Sequence, residues 1–303
     1  MIFPPYLKKG DCIRLVSPAG VIDNILVDKA TSCLESWGFE VKKGDFVSGS
    51  FGRFSGNAEQ RLFDLQTALD DDECCAILCT RGGYGAVHLI DELKLEKFLE
   101  KPKWLIGFSD ITMLHARLQM EGIASIHGGM ARVLAEWFEK KNRTSDEPAA
   151  LLYEMLKGNL PSYFVGNHIL NRTGDAEGQL WGGNLAILYS LRGTKFDYIP
   201  EGGILFIEDT GEKPYVIERM MYNLKLGGIF EKTSGLIVGC FSDYEEDPMM
   251  KKTVYELISD IVEEYDFPVC YNFPVGHVKQ NMPLITGANV CLSVGPVGVT
   301  LNY

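Results

Sequence analysis

The stretch Trp104-Leu105-Ile106-Gly107-Phe108-Ser109-Asp110-Ile111-Thr112-Met113-Leu114-His115 joins a short apolar run to residues with helical spacing. The apolar run is typical of a buried strand, and the apolar residues after the serine recur as on one helix face. A serine at a sharp strand-to-helix turn holds its hydroxyl at the carboxyl edge of a sheet, beside N–H groups of the first helical turn. Ser109 is therefore a candidate nucleophile beside an oxyanion site. The alternative is an ordinary N-cap, since Ile111 stands where Gly-x-Ser-x-Gly has its second glycine.

Strand-like and helix-like segments alternate through the first half of the chain. Strands are predicted at residues 12–16, 39–41, 75–78, 104–107 and 123–126, and a helix is expected over residues 86–99. Such alternation predicts a parallel sheet covered on both faces, with ligand sites at the carboxyl ends of its strands. Arg81-Gly82-Gly83, Ser109 and His127 all fall at such ends.

The composition changes between residues 139 and 172, where polar and helix-breaking residues accumulate. We therefore predict two domains, residues 1–165 and residues 166–303. The first is a parallel-sheet α/β domain. The second is a smaller, mixed β/α domain that ends in a β-hairpin. The predicted fold class is α/β.

Composition and charge restrict the classes of partner. The chain has 303 residues, 46% hydrophobic and 23% charged, with a formal net charge of −12. This negative charge argues against nucleic acid or an anionic membrane surface as the main partner. The amino terminus lacks a secretory pattern, and the eight cysteines are scattered like free thiols, so we expect a cytoplasmic protein.

Metal and cofactor motifs are missing from the sequence. There is no Cys-x-x-Cys, no His-Glu-x-x-His and no phosphate-loop motif. The stretch Arg81-Gly82-Gly83-Tyr84-Gly85 lacks the third glycine of a dinucleotide fingerprint, which argues against a sugar- or nucleotide-binding enzyme. Its backbone N–H groups could instead bind an oxyanion or a substrate carboxylate, with Arg81 adding charge. We expect neither a metal nor a cofactor.

A serine nucleophile needs a base, and the base needs a carboxylate that fixes its tautomer. Of the five histidines, His277 lies on a Pro- and Gly-containing loop after a strand, and His127 precedes two glycines and can line a site. His88 and His115 are expected to be structural. Glu208 closes an apolar strand, and Asp209 is its direct rival for orienting a histidine.

Taken together, these segments resemble the LD-carboxypeptidase family of serine peptidases, which includes muramoyl-tetrapeptide carboxypeptidases and microcin-immunity peptidases. The matching segments run nearly from end to end. They are Val16-Ser17-Pro18-Ala19-Gly20, Arg81-Gly82-Gly83-Tyr84-Gly85, Gly107-Phe108-Ser109-Asp110-Ile111-Thr112, His127-Gly128-Gly129-Met130, Gly182-Gly183-Asn184-Leu185, Phe206-Ile207-Glu208-Asp209 and Gly276-His277.

The resemblance implies Ser109 as nucleophile, His277 as general base and Glu208 as its carboxylate partner. It places the nucleophile in the first domain and the other two residues in the second, which implies a site formed by both domains. Backbone N–H groups of Asp110 and of the Gly82-Gly83 turn would form the oxyanion hole.

The implied activity is cleavage of an L,D-peptide bond, which releases terminal D-alanine from a cytoplasmic peptidoglycan tetrapeptide. The resemblance also implies a homodimer. Arg81, Tyr84 and His127 are the candidate substrate-binding residues, with Arg81 the candidate for the free carboxylate. One departure concerns the pocket: the family usually has a proline two residues before a glycine after the histidine. Here Pro283 and Gly287 are four apart.

The sequence leaves two alternatives to this activity open. One is a microcin-immunity-type peptidase that cleaves an aminoacyl-nucleotide amide. The other is a non-catalytic binding protein on the same scaffold, in which Ser109 is a helix cap.

Overall fold

The computed structural model describes all 303 residues, and its internal contacts divide the chain into two compact units. Unit 1 comprises residues 1–160 together with a later segment, residues 282–285. Unit 2 comprises residues 161–281 and 286–303. The change at residue 160 is near the predicted boundary at 165. Because residues 282–285 belong to unit 1, no single boundary in the chain separates the two units.

Both units mix strands and helices, numbered here in chain order. The strands are β1 (Cys12–Val16), β2 (Glu40–Lys43), β3 (Cys74–Cys79), β4 (Trp104–Gly107), β5 (Ser125–His127), β6 (Tyr163–Gly166), β7 (Gly174–Asn184), β8 (Gly203–Thr210), β9 (Thr233–Ser242), β10 (Val269–Tyr271), β11 (Leu284–Thr286), β12 (Asn289–Val294) and β13 (Gly298–Asn302). The α-helices are α1 (Asn24–Ser36), α2 (Ala58–Asp70), α3 (Glu96–Glu100), α4 (Thr112–Met120), α5 (Ala131–Glu139), α6 (Pro148–Leu156), α7 (Leu185–Leu191), α8 (Pro214–Leu226) and α9 (Val254–Ile261). None of these helices combines the length and the apolar character needed to cross a bilayer.

Unit 1 is built on a six-stranded sheet with the order β11-β5-β4-β3-β1-β2. The pairs β2–β1, β1–β3, β3–β4 and β4–β5 are all parallel. Residues of β4 and β5 are buried throughout, whereas the edge strand β2 is partly exposed. This burial is expected where helices cover both faces of a parallel sheet. The carboxyl end of β4 lies beside that of β5, with Gly107 opposite His127.

Unit 2 is built on a seven-stranded mixed sheet with the order β10-β9-β8-β7-β12-β13-β6. The strands β10, β9, β8 and β7 are mutually parallel. The strands β7, β12, β13 and β6 pair antiparallel, and β12–β13 is the predicted terminal hairpin. Apolar residues of β8 and β9 pack in one buried cluster with those of α7, α8 and α9. The predicted α/β class, with a parallel sheet followed by a mixed one, is confirmed.

Local capping signals place some helix starts correctly. Asn57 accepts a hydrogen bond from the backbone N–H of Gln60, whose side chain in turn accepts one from the Asn57 N–H, 3.0 Å away. This reciprocal pair is a capping box at the start of α2. Thr253 and Glu256 form the same arrangement at the start of α9.

The helix expected over residues 86–99 is wrong. The chain forms a short 3₁₀-helix (Ala86–His88), a non-helical stretch and then α3. The side chain of Gln66 takes over the backbone hydrogen bonds of Lys94, donating to its carbonyl at 2.8 Å and accepting from its N–H at 3.0 Å. A contact with α2 thus replaces the hydrogen bonds that a helix would have made here.

Candidate active site

Ser109 lies at a sharp turn between β4 and α4. Its φ is +65°, a left-handed conformation that costs a non-glycine residue about 1–3 kcal/mol and is found mainly at functional sites. It begins a short 3₁₀-helix (Ser109–Ile111) whose N-cap is Phe108, while the N-cap of α4 is Ile111. Ser109 therefore occupies neither N-cap position. The turn is tight, since a Cβ on Gly107 would lie 3.0 Å from the side chain of Ile111.

The glycine turn predicted at the end of β3 packs directly against this serine. A Cβ on Gly82 would lie 2.9 Å from the Cβ of Ser109 and 3.2 Å from its Oγ. Gly83, the next residue, has a φ of +98°, which a side chain would disfavour. The carbonyl of Gly82 accepts a hydrogen bond from the N–H of Gly20 at 2.9 Å. Glycine is thus required here for a close approach to Ser109.

Asp110, which follows the serine, is 1% exposed. Its carboxylate accepts a hydrogen bond from the N–H of Ala86 at 2.8 Å. Burial raises the pKa of Asp110, while the hydrogen bond from Ala86 and the charge of Arg61 oppose this shift. The side chain of Asp110 therefore connects the serine turn to the loop that contains Gly82 and Gly83.

Glu208 and His277 form a hydrogen-bonded pair in unit 2. Nδ1 of His277 lies 2.7 Å from Oε2 of Glu208, which is completely buried near the end of β8. Burial alone lowers the pKa of His277. The hydrogen bond to Glu208 and the negative charges of Glu208, Asp209 and Asp243 outweigh it, so this pKa is raised. A buried carboxylate that fixes one ring nitrogen is the arrangement that prepares a histidine for proton transfer.

The loop that contains His277 is fixed by a short backbone approach and a buried amide. Gly276 has a φ of +123°, and a Cβ there would lie 2.8 Å from the Cβ of Glu208. The N–H of Gly276 donates to Oδ1 of Asn281 at 2.9 Å, and Asn281 is 1% exposed. No feature of the sequence singles out Asn281, since an asparagine in a loop gives no distinctive signal.

Asp209, the rival of Glu208, has a different set of partners. Its carboxylate accepts hydrogen bonds from Nδ2 of Asn184 and from the N–H of Ala186, both at 2.9 Å. Burial raises the pKa of Asp209 to about 6. Asp209 therefore holds the start of α7 next to β8, and Glu208 is the residue that contacts the histidine.

Arg81 and Tyr84 are both exposed, on the loop that follows β3. Nη1 of Arg81 donates to the carbonyl of Val21 at 2.5 Å. The ring of Tyr84 lies 5.8 Å from Phe54 and 5.5 Å from His88. Their exposure leaves both side chains accessible to a ligand, and their role in substrate binding stays a prediction.

The histidines of unit 1 near this turn are buried. His115 lies between Oγ of Ser125 at 2.8 Å and the carbonyl of Gly107 at 2.9 Å. Burial lowers its pKa to about 4, so it is the structural residue that was predicted. His127 has no exposed surface, and its ring lies 5.7 Å from that of Phe108. Its predicted contact with substrate stays a prediction.

Arg61 is a residue near this site that sequence reasoning missed. It is 2% exposed, and its guanidinium donates to the carbonyls of Pro18 at 2.6 Å and of Gly85 at 2.9 Å. The one available signal was its alignment with Leu65 and Ala68 on the buried face of α2. No group of three or more His, Cys, Asp and Glu side chains is arranged to hold a metal ion.

Two family descriptions match most of the chain. Residues 13–128 match the LD-carboxypeptidase N-terminal domain, and residues 177–292 match the LD-carboxypeptidase C-terminal domain. The first match includes Ser109 with its glycine turn, and the second includes Glu208 and His277.

Individual relatives agree with these matches. The murein tetrapeptide carboxypeptidase of Pseudomonas aeruginosa is 31% identical, and the match covers 89% of each chain. The crystal structure of muramoyltetrapeptide carboxypeptidase from Oxalobacter formigenes has a TM-score of 0.86 and 28% identity, and the match covers 96% of this chain and 97% of that one. The microcin C7 self-immunity protein MccF of Escherichia coli has a TM-score of 0.87 at 22% identity, covering 100% of this chain and 99% of its own, which shows a shared fold.

Proposed function

Because this chain belongs to the LD-carboxypeptidase family and is a serine-type carboxypeptidase acting on peptides, we propose that it hydrolyses an L,D-peptide bond. The proposed substrate is a murein tetrapeptide, from which the enzyme releases terminal D-alanine during peptidoglycan recycling in the cytoplasm. The names of its relatives support this substrate class.

In the first step of the proposed reaction, Oγ of Ser109 attacks the carbonyl carbon that precedes D-alanine. His277 accepts the hydroxyl proton, and Glu208 holds the imidazole and stabilises the imidazolium that forms. Backbone N–H groups of Asp110, Gly82 and Gly83 stabilise the negative oxygen of the tetrahedral intermediate. What supports the assignment of Glu208 is its 2.7 Å contact with the histidine.

In the second step, the imidazolium of His277 gives its proton to the departing amine, and D-alanine leaves. The remaining tripeptide is then an ester of Ser109. Water attacks this ester while His277 accepts a proton from it, which releases the tripeptide acid and restores the serine hydroxyl.

A carboxypeptidase must also bind the free terminal carboxylate of its substrate. We assign this role to Arg81, because guanidinium groups bind carboxylates through paired hydrogen bonds. Tyr84 and His127 complete the proposed substrate-binding residues. Arg81 and Tyr84 lie on the same loop as Gly82, which contacts the proposed nucleophile.

The observation that carries the proposal is the backbone of Ser109, held at a φ of +65° with Gly82 packed against its side chain. The test is incubation with a defined L,D-tetrapeptide and with its all-L counterpart, followed by mass spectrometry for free alanine. We expect alanine from the L,D-peptide only, and none above background with Ser109→Ala. Equal cleavage of both peptides, or near-native activity of Ser109→Ala, would contradict the proposal.

The second candidate function is cleavage of an aminoacyl-nucleotide amide, and the fold shared with MccF is the observation that favours it. Supplying such an amide in the same assay separates the two functions by their relative kcat/KM. We further propose a homodimer, which the family resemblance supports. A single-chain mass in sedimentation analysis at working concentration would contradict it.

A further inference from the structure

One peptide group near the proposed nucleophile is held from both sides by buried charged side chains. The carbonyl of Gly85 and the N–H of Ala86 belong to the same peptide bond. Nη1 of Arg61 donates to that carbonyl at 2.9 Å, and Oδ2 of Asp110 accepts from that N–H at 2.8 Å. The orientation of this peptide group is therefore set by two side chains at once.

Arg61 uses its guanidinium to connect separate loops. Besides Gly85, it donates through Nη1 to the carbonyl of Pro18 at 2.6 Å and through Nε to that of Gly56 at 3.0 Å. Its Nη2 lies 3.0 Å from Nδ1 of His88. A planar group with five donors in a fixed geometry can hold several carbonyls in one arrangement, which a lysine cannot do.

The guanidinium of Arg61 and the carboxylate of Asp110 stabilise each other's charge in a buried environment. Arg61 is 2% exposed and Asp110 is 1% exposed. Burial lowers the pKa of Arg61 while the charge of Asp110 raises it. A buried charge is costly unless it is paired and hydrogen-bonded, and here each charge has both a counter-charge and backbone partners.

The position of Gly82 depends on the two loops that Arg61 holds. Gly82 lies in a segment outside the strands and helices, three residues before Gly85, whose peptide bond to Ala86 is held by Arg61 and Asp110. Its carbonyl accepts from the N–H of Gly20, which lies two residues after the Pro18 carbonyl that Arg61 also binds. The same guanidinium therefore binds both the loop that contains Gly82 and the loop whose Gly20 donates to Gly82.

We propose that Arg61 and the side chain of Asp110 are positioning residues that hold the Gly82-Gly83 turn at its working distance from Ser109. The inference rests on the proposed function, in which Ser109 is the nucleophile and this turn supplies oxyanion donors. Neither side chain touches the reacting atoms. Both act through the peptide group between Gly85 and Ala86.

The first test compares Arg61→Met and Arg61→Lys with the parent enzyme. Displacing an oxyanion donor by about 1 Å can lower kcat by about 10²-fold. We expect a loss of that size in both variants, with KM for the L,D-tetrapeptide within about 2-fold of the parent value. Phosphonylation of Ser109 by a fluorophosphonate should slow in parallel, since its transition state also places charge on an oxygen near this turn.

The matched control is Arg14→Met. Arg14 is a partly buried arginine of the same unit, and its Nε donates to Oδ2 of Asp71 at 2.7 Å. We expect this variant to lower the melting temperature while its kcat per folded molecule stays within about 2-fold of the parent value, consistent with the typical cost of a broken structural contact.

Variants of Asp110 give a second test, which does not depend on whether an Arg61 variant folds. Asp110→Asn keeps an oxygen acceptor for the N–H of Ala86, whereas Asp110→Ala removes it, and both keep the backbone N–H of residue 110. We expect Asp110→Ala to lose about 10²-fold in kcat and Asp110→Asn to recover at least about 10-fold of that loss.

The outcomes separate the inference from the proposed function. If Ser109→Ala is inactive while the folded Arg61→Met and Asp110→Ala enzymes keep parental kcat, the inference is wrong and the proposed function stands. A loss of activity that only follows the melting temperature, as in Arg14→Met, also overturns the inference. If Ser109→Ala retains activity, both the proposed function and the inference fail.

Discussion

Oε2 of Glu208 lies 2.7 Å from Nδ1 of His277, and the carboxylate that supplies this oxygen has no exposed surface. A carboxylate at Nδ1 holds a proton on that nitrogen, so the ring accepts further protons at Nε2. Glu208 and Asp209 are consecutive residues near the end of β8, and of the two only Glu208 hydrogen-bonds to the histidine. The pair fixes both the tautomer and the pKa of the proposed base.

Glu208→Gln should lower kcat by roughly 10³- to 10⁴-fold, because the amide can hold the wrong tautomer. The raised pKa of His277 places the acid limb of the parent pH profile above the ordinary histidine value of about 6.5. Removing the charge of Glu208 should move this limb to lower pH. The measurement is kcat/KM from pH 5 to pH 9.

The control for this profile is Asp243→Asn, which removes a charge that raises the pKa of His277 less than Glu208 does. We expect a smaller shift in the same direction, with kcat at its plateau close to the parent value. An acid limb of Glu208→Gln that coincides with the parent limb would contradict the assignment.

The same pair should make the free energy of unfolding depend on pH. The folded-state pKa of His277 is raised, so the stabilising pair is fully present below the unfolded value and is lost as pH rises through the folded one. We expect the difference in unfolding free energy between the parent and Glu208→Gln to be larger at pH 6 than at pH 9. Urea denaturation at both values measures it, and an equal difference would be contrary to this prediction.

Gly82→Ala should damage activity more than stability. The added Cβ would lie 2.9 Å from the Cβ of Ser109, so the turn or the serine must move. We expect kcat/KM to fall by about 10²-fold. Gly166→Ala is the control, because a Cβ there meets nothing within 4 Å. Parental activity of a folded Gly82→Ala enzyme would show that the contact is unimportant.

Asn281→Ala should loosen the loop that contains His277. It leaves the N–H of Gly276 without its acceptor, at a cost of about 1–3 kcal/mol. Asn171→Ala is the matched control, since Oδ1 of Asn171 likewise accepts from a backbone N–H, that of Tyr271 at 2.8 Å. Both variants should unfold at lower urea concentration, and only Asn281→Ala should lower kcat. Equal kcat values for the two folded variants would count against a role for Asn281 in placing His277.

Arg81→Ala should raise KM for the tetrapeptide by about 10-fold or more, as expected for the loss of a hydrogen bond to a charged group, with a smaller effect on kcat. The control is Arg132→Ala, an exposed arginine whose ion-pair partner is Glu136 in the same helix at 3.7 Å. An unchanged KM in Arg81→Ala would remove this residue from the proposed carboxylate site.

The sequence was most informative where local geometry decides the structure. The turn at Ser109 could be predicted because an apolar strand, a glycine and a helical repeat follow one another within a few residues. The alternation of strands and helices also predicted the parallel sheet of unit 1, since each element carries its own periodicity.

Prediction failed where distant contacts decide the structure. Residues 86–99 have helical spacing, but the side chain of Gln66 replaces the local hydrogen bonds of Lys94. The choice between Glu208 and Asp209 depends on what packs on each side of one strand. Arg61 resembles an ordinary surface residue until the carbonyls that surround it are known.

The return of residues 282–285 to unit 1 has a consequence for synthesis on the ribosome. The edge of β5 is covered by β11, whose residues emerge only after most of unit 2 has been translated. About 120 residues separate residue 160, the end of the first part of unit 1, from β11. At 5–20 residues per second, their synthesis takes roughly 6 to 25 s. During that time the nascent amino-terminal unit has an open sheet edge, the kind of surface that chaperones protect from aggregation.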